Sequence, residues 1–443
     1  MFGIVESGIL KTACETHAAM TFDSPATANR AAIELRARGN IQEAIDAFRT
    51  AVAQFPGNLS LHQNLAQMLY ETGDTAGAIR EHRLALKGDP NSVASHLALY
   101  ELLQIVGERP MALAHQRLAL EDQRLFSHVA AKEARSVLLL CAPGDWQANI
   151  PIDFILDPQT TTVHKLYLLD APHVRNDTLP RYDVLWNAIA ESPESLLYLD
   201  LASRIMATQK MPTLNAPARV FATGRSHLGK TLAGTNANVP AMKELARELV
   251  ANGDVGFEFP VIIRPIGSHA GAGLRKIESR DACERYVTEN PSGAYYVSSF
   301  VDYSSPDGYF RKYRIQFVDG VPYPVHLAIS KEWMIHYYNA PMSENEWMRK
   351  EEEAFLADLS AAFAPEAHAT LLSIAKAVDL EYFGIDCSID RNGKVLVFEA
   401  DPAMLVHVSD PISLFPYKHK YIPRIFSAVE AMLDRRKTAD KKV

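Results

Sequence analysis

Glycines 39, 73 and 107 stand 34 residues apart, and alanines 44, 78 and 112, and again 51, 85 and 119, keep the same step. Pro56 and Pro90 follow it, with Phe48 at the bulky position of the first copy. A small residue at a fixed place on each of two helices lets their backbones approach closely. The glycine turns the chain between them, and the proline ends the second helix. A unit of this kind cannot bury its apolar face alone, so copies must stack side by side. Three copies fit between about Ala28 and Leu125, which predicts an all-α array for the first part of the chain.

This period and its small residues resemble the tetratricopeptide repeat. No tryptophan occurs in the first helices, and Arg124 stands where a third proline would fall. The resemblance implies a groove that holds a peptide or a partner protein, with Asn64 at a groove position. The alternative is an array that packs on the next domain or forms a dimer.

The 443 residues leave room for about three domains. A hydrophobic share of 48% with 22% charged residues is ordinary for a soluble globular chain. The net charge of -8 gives no support to nucleic acid or a membrane as the main partner. Cys14, Cys141, Cys283 and Cys387 are far apart and form no CxxC pair, which argues against a disulfide framework and for a reducing compartment. The first residues lack the basic start and apolar core of a signal peptide, and no apolar run approaches the roughly 18 residues of a membrane span. The expected location is cytoplasmic.

The chemistry concentrates between Tyr382 and Val408. Two apolar-rich runs, Gly384–Asp390 and Val395–Ala400, flank Arg391-Asn392-Gly393-Lys394. An Asn-Gly pair between such runs predicts a two-residue hairpin turn with positive φ at both residues. In that register Asp386 faces Glu399. Ser388 and Asp390 share the face of Asp386, and Asp401 shares that of Glu399. Ile385, Cys387, Ile389, Leu396 and Phe398 then point into a core. Like charges directly opposite on a sheet repel, and a Mg²⁺ ion between oxygen ligands would relieve the conflict. The alternative is a solvated hairpin whose acids merely flank a turn.

Ahead of this hairpin, short strands alternate with helical stretches, which predicts an α/β region. Val137–Leu140 is a short buried strand with a turn-rich exit, Cys141-Ala142-Pro143-Gly144-Asp145, and Leu166–Leu169 and Val184–Trp186 read as further element starts. Ligands often bind at the carboxyl ends of such strands. Phe259–Ile263 then carries Arg264 into a loop with glycines at 267, 271 and 273. Such a loop exposes backbone N–H groups to an anion and lets a phosphate approach without interference from Cβ atoms. It is neither a Walker sequence nor a dinucleotide fingerprint. Tyr295–Val301 reads as a strand ending at Asp302. Lys312–Phe317 alternates, so Lys312 and Arg314 share a face, and Asp319-Gly320 predicts a hairpin turn into Val321–Ile329.

From about Leu138 to Leu433, this order of parts resembles the ATP-grasp superfamily in its carboxylate–amine ligase branch. The resemblance implies a small α/β domain, then two α+β lobes that hold ATP between antiparallel sheets. The whole chain is then multidomain: a tail at 1–27, repeats at 28–126, an α/β pre-domain at 135–215, ATP-grasp lobes at 216–435 and a basic tail at 436–443. The resemblance puts Arg225 and Arg264 at the two nucleotide-binding lysine positions. It makes Gly267–Gly273, with Ser268, Gly271 and Gly273, the mobile glycine-rich loop. Tyr296–Asp302, with Ser299, Phe300, Val301 and Asp302, becomes the adenine-bearing linker. Arg314, with Lys312, meets the transferred phosphate, and Asp386, Glu399 and Asp401 become magnesium ligands.

Three departures stand out. Both lysines are arginines, the linker has Ser298 and Ser299 where an acid is usual, and Asp401 replaces the usual asparagine. The implied activity uses ATP and Mg²⁺ to activate a small-molecule or peptide carboxylate as an acyl phosphate, which an amine then attacks. His269, His326, His336 and His407 lie near the inferred site, and no residue stands out as the base. The aromatic stretch Trp333–Tyr338 suits a substrate pocket or a core. Two other readings remain at this stage: a repeat-based adaptor whose C-terminal part binds nucleotide without turning it over, and an ATP-dependent phosphotransferase.

Overall fold

The computed structural model describes residues 20–169, 179–268, 271–335 and 339–439. The chain divides into two units, Met1–Gln123 and Arg124–Val443.

Unit one is helical: α1 (Pro25–Ala37), α2 (Ile41–Gln54), α3 (Leu59–Glu71), α4 (Thr75–Gly88), α5 (Val93–Ile105) and α6 (Arg109–Asp122). The period reads directly into contacts. Ala44, Ala78 and Ala112 are fully buried, as are Ala51 and Ala119. Gly39, Gly73 and Gly107 take φ of 84°, 89° and 81°, the left-handed turn between paired helices that side chains resist. Ser24, Asn58, Asp74 and Ser92 cap the helices they precede by accepting a backbone N–H. Two buried histidines occupy equivalent places in successive copies. His62 sets its ring nitrogens 2.7 Å from the Glu81 carboxylate and 3.0 Å from the Pro56 carbonyl. His96 sets its own 2.8 Å from His115 Nδ1 and 2.9 Å from the Pro90 carbonyl.

Among its described residues, unit two contains three sheets. The first has the order β1-β3-β2-β4-β5, from β1 (Leu125–His128), β2 (Arg135–Cys141), β3 (Thr161–Tyr167), β4 (Val184–Asn187) and β5 (Thr213–Leu214). All its pairings are parallel except that of edge strand β1 with β3. Every residue of β2 is buried, as expected of a parallel strand covered on both faces. The helices that follow in the chain are α7 (Leu196–Met206), α8 (Pro217–Phe221) and α9 (Arg225–Thr231).

A small antiparallel sheet comes next, with order β6-β9-β7-β8: β6 (Met242–Ala246), β7 (Val261–Pro265), β8 (Arg275–Ile277) and β9 (Ala294–Ser299). Helices α10 (Arg247–Ala251) and α11 (Ala282–Glu289) belong to the same stretch, and Val261, Ile263, Tyr295 and Val297 form its core with Tyr286 and Val287 of α11.

The third sheet has order β11-β10-β12-β13, from β10 (Phe310–Val318), β11 (Val321–Ser330), β12 (Tyr382–Ile389) and β13 (Val395–Asp401), all antiparallel. Helices α12 (Glu346–Ala357), α13 (Pro365–Val378), α14 (Pro416–Tyr421) and α15 (Pro423–Ala439) complete the chain. Asp319 and Gly320 both take positive φ, 48° and 78°, so the predicted two-residue turn between β10 and β11 is present. One continuous core joins the first and third sheets, with Phe317 stacked on Phe383 at 4.6 Å and Trp186 edge-on to Tyr382 at 5.4 Å. Asn215 joins the two covalently distant parts, because its side-chain amide donates to the Tyr382 carbonyl at 2.8 Å and accepts the Tyr382 N–H at 3.0 Å.

This is the expected sequence of architectures: a helical repeat, an α/β sheet, and two antiparallel sheets with helices. The carboxylate hairpin departs from expectation in its turn. Asp390 pairs with Lys394, and Asp390 Oδ1 accepts the N–H groups of Asn392 and Lys394, so the loop has three residues and only Gly393 takes positive φ (76°). A bulge between Asp386 and Cys387 then shifts the register by one: Cys387 faces Val397 while Asp386 faces Glu399. The two irregularities cancel at Asp386. They do not cancel nearer the turn, which puts Leu396 opposite Ser388 and leaves Phe398 as the extra residue. Leu396, fully buried, and Phe398, half-buried, therefore both line the cavity between the second and third sheets.

The hairpin also holds both chain crossings into the small sheet. Asn238 exchanges backbone bonds with Val395 and Val397 and donates from its side chain to Asp390 at 2.8 Å. Arg391 pairs with Asp302 at 2.7 Å and donates to Ser304 at 2.6 Å.

Candidate active site

One row of residues crosses the third sheet. His326 on β11, Arg314 on β10, Asp386 on β12 and Glu399 on β13 are successive cross-strand partners. Arg314 donates to both oxygens of Asp386, at 2.7 and 3.0 Å, and Lys312 places its ammonium 2.7 Å from the same carboxylate. Glu399 is paired with Arg225, the first residue of α9. The expected repulsion between Asp386 and Glu399 is thus relieved by the protein's own cations. Burial alone would raise Asp386, but Arg314 and Lys312 hold it well below the usual carboxylate range. Against the same burial, Arg225 holds Glu399 down. Burial, followed by Arg314, keeps the His326 ring neutral by lowering it well below its ordinary value.

The small sheet supplies a second wall. Arg264 and Tyr296 are partners across β7 and β9, and Ile262, Ser298 and Met242 form the adjoining row. Arg264 donates from Nε to the Ser268 hydroxyl at 3.1 Å and from its other arm to the Ser268 carbonyl, which ties down the start of the glycine loop. Burial, then the neighbouring Arg225, lowers the Arg264 guanidinium to about 10. Gly267, Gly271 and Gly273 take φ of 75°, 75° and 67°. His269 and Ala270 of this loop lie outside the described residues, as do His336, Tyr337 and Tyr338.

Between the two walls is a cavity of about 670 Å³. Arg225, Arg264, Lys312, Arg314, Asp386 and Glu399 line it, with Gly271 and the linker residues Ser299, Phe300 and Val301. Ser268 and Asp401 line a small adjoining cavity of about 50 Å³, which Arg225 and Glu399 also reach. Gly273 and Asp302 line neither. The Gly273 carbonyl accepts the Tyr286 hydroxyl at 2.7 Å, and the Asp302 carboxylate is engaged by Arg391. Of the histidines noted in the sequence, His326 and His407 line the large cavity, with Trp333, Met334 and Ile335. Asn64 bonds Asn29 at 2.6 Å and so links α3 to α1.

Three residues that sequence reasoning missed belong to these cavities. Glu191 lines the smaller one, and burial raises its carboxyl to about 7, with Glu244 and Glu194 adding to the shift against Arg225. It follows β4 at the carboxyl end of the parallel sheet, the place where α/β sheets bind ligands, and that rule could have flagged it. Asp410 and Lys418 line the larger cavity after the last strand, and no sequence signal marks them.

Among the described residues no group of three His, Cys, Asp or Glu is arranged to hold a metal ion. The donor set nonetheless suits a hard cation. Asp401 is half-buried, accepts the Ala403 N–H at 2.7 Å and forms no ion pair among the described residues, and desolvation, with Glu399 adding, raises its carboxyl to about 7. A carboxyl raised in this way tends to hold its proton, which a cation arriving with a ligand would displace.

Residues 35–103 match the tetratricopeptide repeat family. No curated protein matches the sequence. Among solved structures, the chain is similar to the D-alanine–D-alanine ligase of Bacillus anthracis, at 12% identity and a TM-score of 0.43, over 70% of this chain and 99% of that one. It is similar to the D-alanine–D-alanine ligase of Coxiella burnetii at 10% identity and a TM-score of 0.44, over 69% and 97%. A RimK domain ATP-grasp protein of Sphaerobacter thermophilus is similar at 12% identity and a TM-score of 0.40, over 67% and 99%.

Proposed function

We propose that the large cavity binds ATP and that the chain joins a carboxylate to an amine through an acyl phosphate, releasing ADP and phosphate. The observation that supports this reading is the row His326–Arg314–Asp386–Glu399 facing Arg264 across one cavity. Four arginine and lysine side chains gathered at one end, Arg225, Arg264, Lys312 and Arg314, line the space, with Lys418 on another wall, and much of the rest is apolar. Ile262, Met242, Leu396 and Phe398 form a bed suited to a flat base, and the backbone of Ser299–Val301 offers its edge hydrogen bonds. The cations take the phosphates, and the glycine loop lets them approach.

Asp386, Glu399 and Asp401 are the residues that would hold Mg²⁺. When bound, the ion neutralises phosphate charge and orients the transferred group. Arg225 leaves Glu399 for phosphate, and Arg314 and Lys312 stabilise charge on the group in transfer. The carboxylate oxygen attacks the γ-phosphorus as the bond to ADP breaks. The amine then attacks the acyl carbon, phosphate leaves, and the amine gives up a proton. The helical repeats serve recognition, presenting a partner protein or peptide rather than taking part in the chemistry.

The test is a screen of amino acids and short peptides with ATP and Mg²⁺, with hydroxylamine added as a trap. ADP formation that depends on an accepted acid, with a hydroxamate product, supports the reading. AMP formation refutes it, a stable phosphoester without hydroxamate points to a phosphotransferase, and ATP binding without turnover points to an adaptor.

A further inference from the structure

Among the described residues, three acids line the large cavity. Asp386 and Glu399 are tied into the row by Arg314, Lys312 and Arg225. The third, Asp410, belongs to a different group. Lys418 on α14 is buried and divides its ammonium between Asp410 at 3.2 Å and Glu352 at 3.3 Å. Glu352 is fully buried and also accepts the Leu327 N–H at 3.2 Å and the Tyr417 hydroxyl at 2.6 Å, so it is a fixed structural counter-ion. One buried ammonium therefore serves two carboxylates. Of the two, Asp410 has the more open side chain and is the one that lines the cavity.

His407 lines the same wall. Its Nδ1 accepts the Ser409 N–H at 3.0 Å, so the neutral ring carries its proton on Nε2 and is a donor, not a base, at that atom. A ligand at this wall thus meets one carboxylate, Asp410, and the wall adjoins the row, because Arg314 donates to the Leu405 carbonyl at 3.5 Å, two residues before His407.

We propose that Asp410 positions the nucleophile: it receives the amine substrate as an ammonium ion and holds it beside Arg314. This rests on the ligase reading and names the residue that reading leaves open. An ammonium ion opposite Asp410 adds positive charge to the carboxylate that shares Lys418, whereas a second anion there would face a carboxylate directly. Asp410 is a positioning residue for a cationic primary amine, and the acid substrate belongs to the arginine side.

The probes are amino-acid methyl esters, which keep the ammonium and lack the carboxylate, and N-acetyl amino acids, which do the reverse. Each is added to the full chain with ADP and Mg²⁺, and the melting temperature is read. The wild type is expected to shift with ADP and further with esters. Asp410→Asn is expected to keep the ADP shift, which shows that it folds and binds nucleotide, and to bind the esters about tenfold more weakly or worse. Asp410→Glu, which keeps the charge, should retain part of the ester shift. An Asn variant that binds esters as the wild type does overturns the proposal, as does a wild type that shifts with ADP but with no ester. Absence of the ADP shift itself would instead defeat the nucleotide reading, and this assignment with it.

Discussion

Arg314 holds Asp386 by both carboxylate oxygens, at 2.7 and 3.0 Å, from the directly opposite position on the neighbouring strand. The Asp386 side chain is 1% exposed, and Lys312 adds a second cation. Asp386→Ala leaves two cations without their counter-ion, a change that costs about 3–5 kcal/mol when such a pair is buried. Urea denaturation of the nucleotide-free protein should show that loss, and added ATP should recover part of it by supplying phosphate in place of the carboxylate. Unchanged stability would mean that solvent already screens the pair.

Arg264→Ala should weaken ATP binding by a factor of about ten to one hundred, the range of a charge-assisted hydrogen bond of about 1.5–3 kcal/mol. Its present partner is Ser268, a short-range contact within the same loop, so the nucleotide-free melting temperature should move little. Calorimetry with an ATP affinity equal to the wild type would assign Arg264 to the loop alone.

Glu399→Gln preserves shape and removes the charge that would hold Mg²⁺. Turnover should be lost while the circular dichroism spectrum stays near that of the wild type, with a modest fall in melting temperature because Arg225 loses its counter-ion. Near-normal turnover would remove Glu399 from the chemistry.

Glu191 gives a pH dependence. Its carboxyl rises from 4.5 to about 7 on folding, so between those values the folded protein holds a proton that the unfolded chain has released. Stability on its account is therefore full below about 4.5 and falls as pH rises towards 7. Replacing it in Glu191→Gln should flatten the fall of melting temperature across that window in the nucleotide-free protein. An identical pH profile in the two proteins would show that Glu191 is ionised throughout.

A chain beginning at Arg124 should bind ATP as the full chain does, because the proposed nucleotide site draws all its residues from the second unit. The cut must not fall later. Edge strand β1 pairs with β3 from Leu125 to His128, and Arg124 accepts the Tyr167 N–H at 2.9 Å. Loss of nucleotide binding in a folded truncated chain would give the repeats a part in the site.

The helical repeat was legible because its signal is a period, and alanine at positions 44, 78 and 112 reports close packing wherever it recurs. The face shared by Lys312 and Arg314 was legible from alternation, whereas the facing of Asp386 and Glu399 came out of the expected two-residue turn only because the longer loop and the bulge cancel there. What stayed hidden was partnership across long separations. Nothing near Arg225 in the chain announces Glu399, 174 residues on, and nothing near Lys418 announces Glu352. Leu396 is buried as expected, but it and Phe398 face the cavity, because a bulge resets alternation without leaving a glycine or proline to mark it. Strand β1 escaped notice because four residues at an edge carry too short a pattern.

The three-residue loop and the bulge of the β12–β13 hairpin bear on how such a chain can change over generations. With the pairing of Ile389 and Val395 kept and the bulge straightened, Asp386 would meet Phe398, and Glu399 would turn to the opposite face. An insertion of one residue between Val397 and Glu399 would therefore turn the carboxylate away from Asp386, although every amino acid of the site is still encoded, whereas loss of Phe398 would straighten the ladder and keep the two carboxylates opposite. Lineages that retain the site cannot lengthen that stretch by one residue even where its composition drifts, so spacing, more than residue identity, is the heritable record of this hairpin.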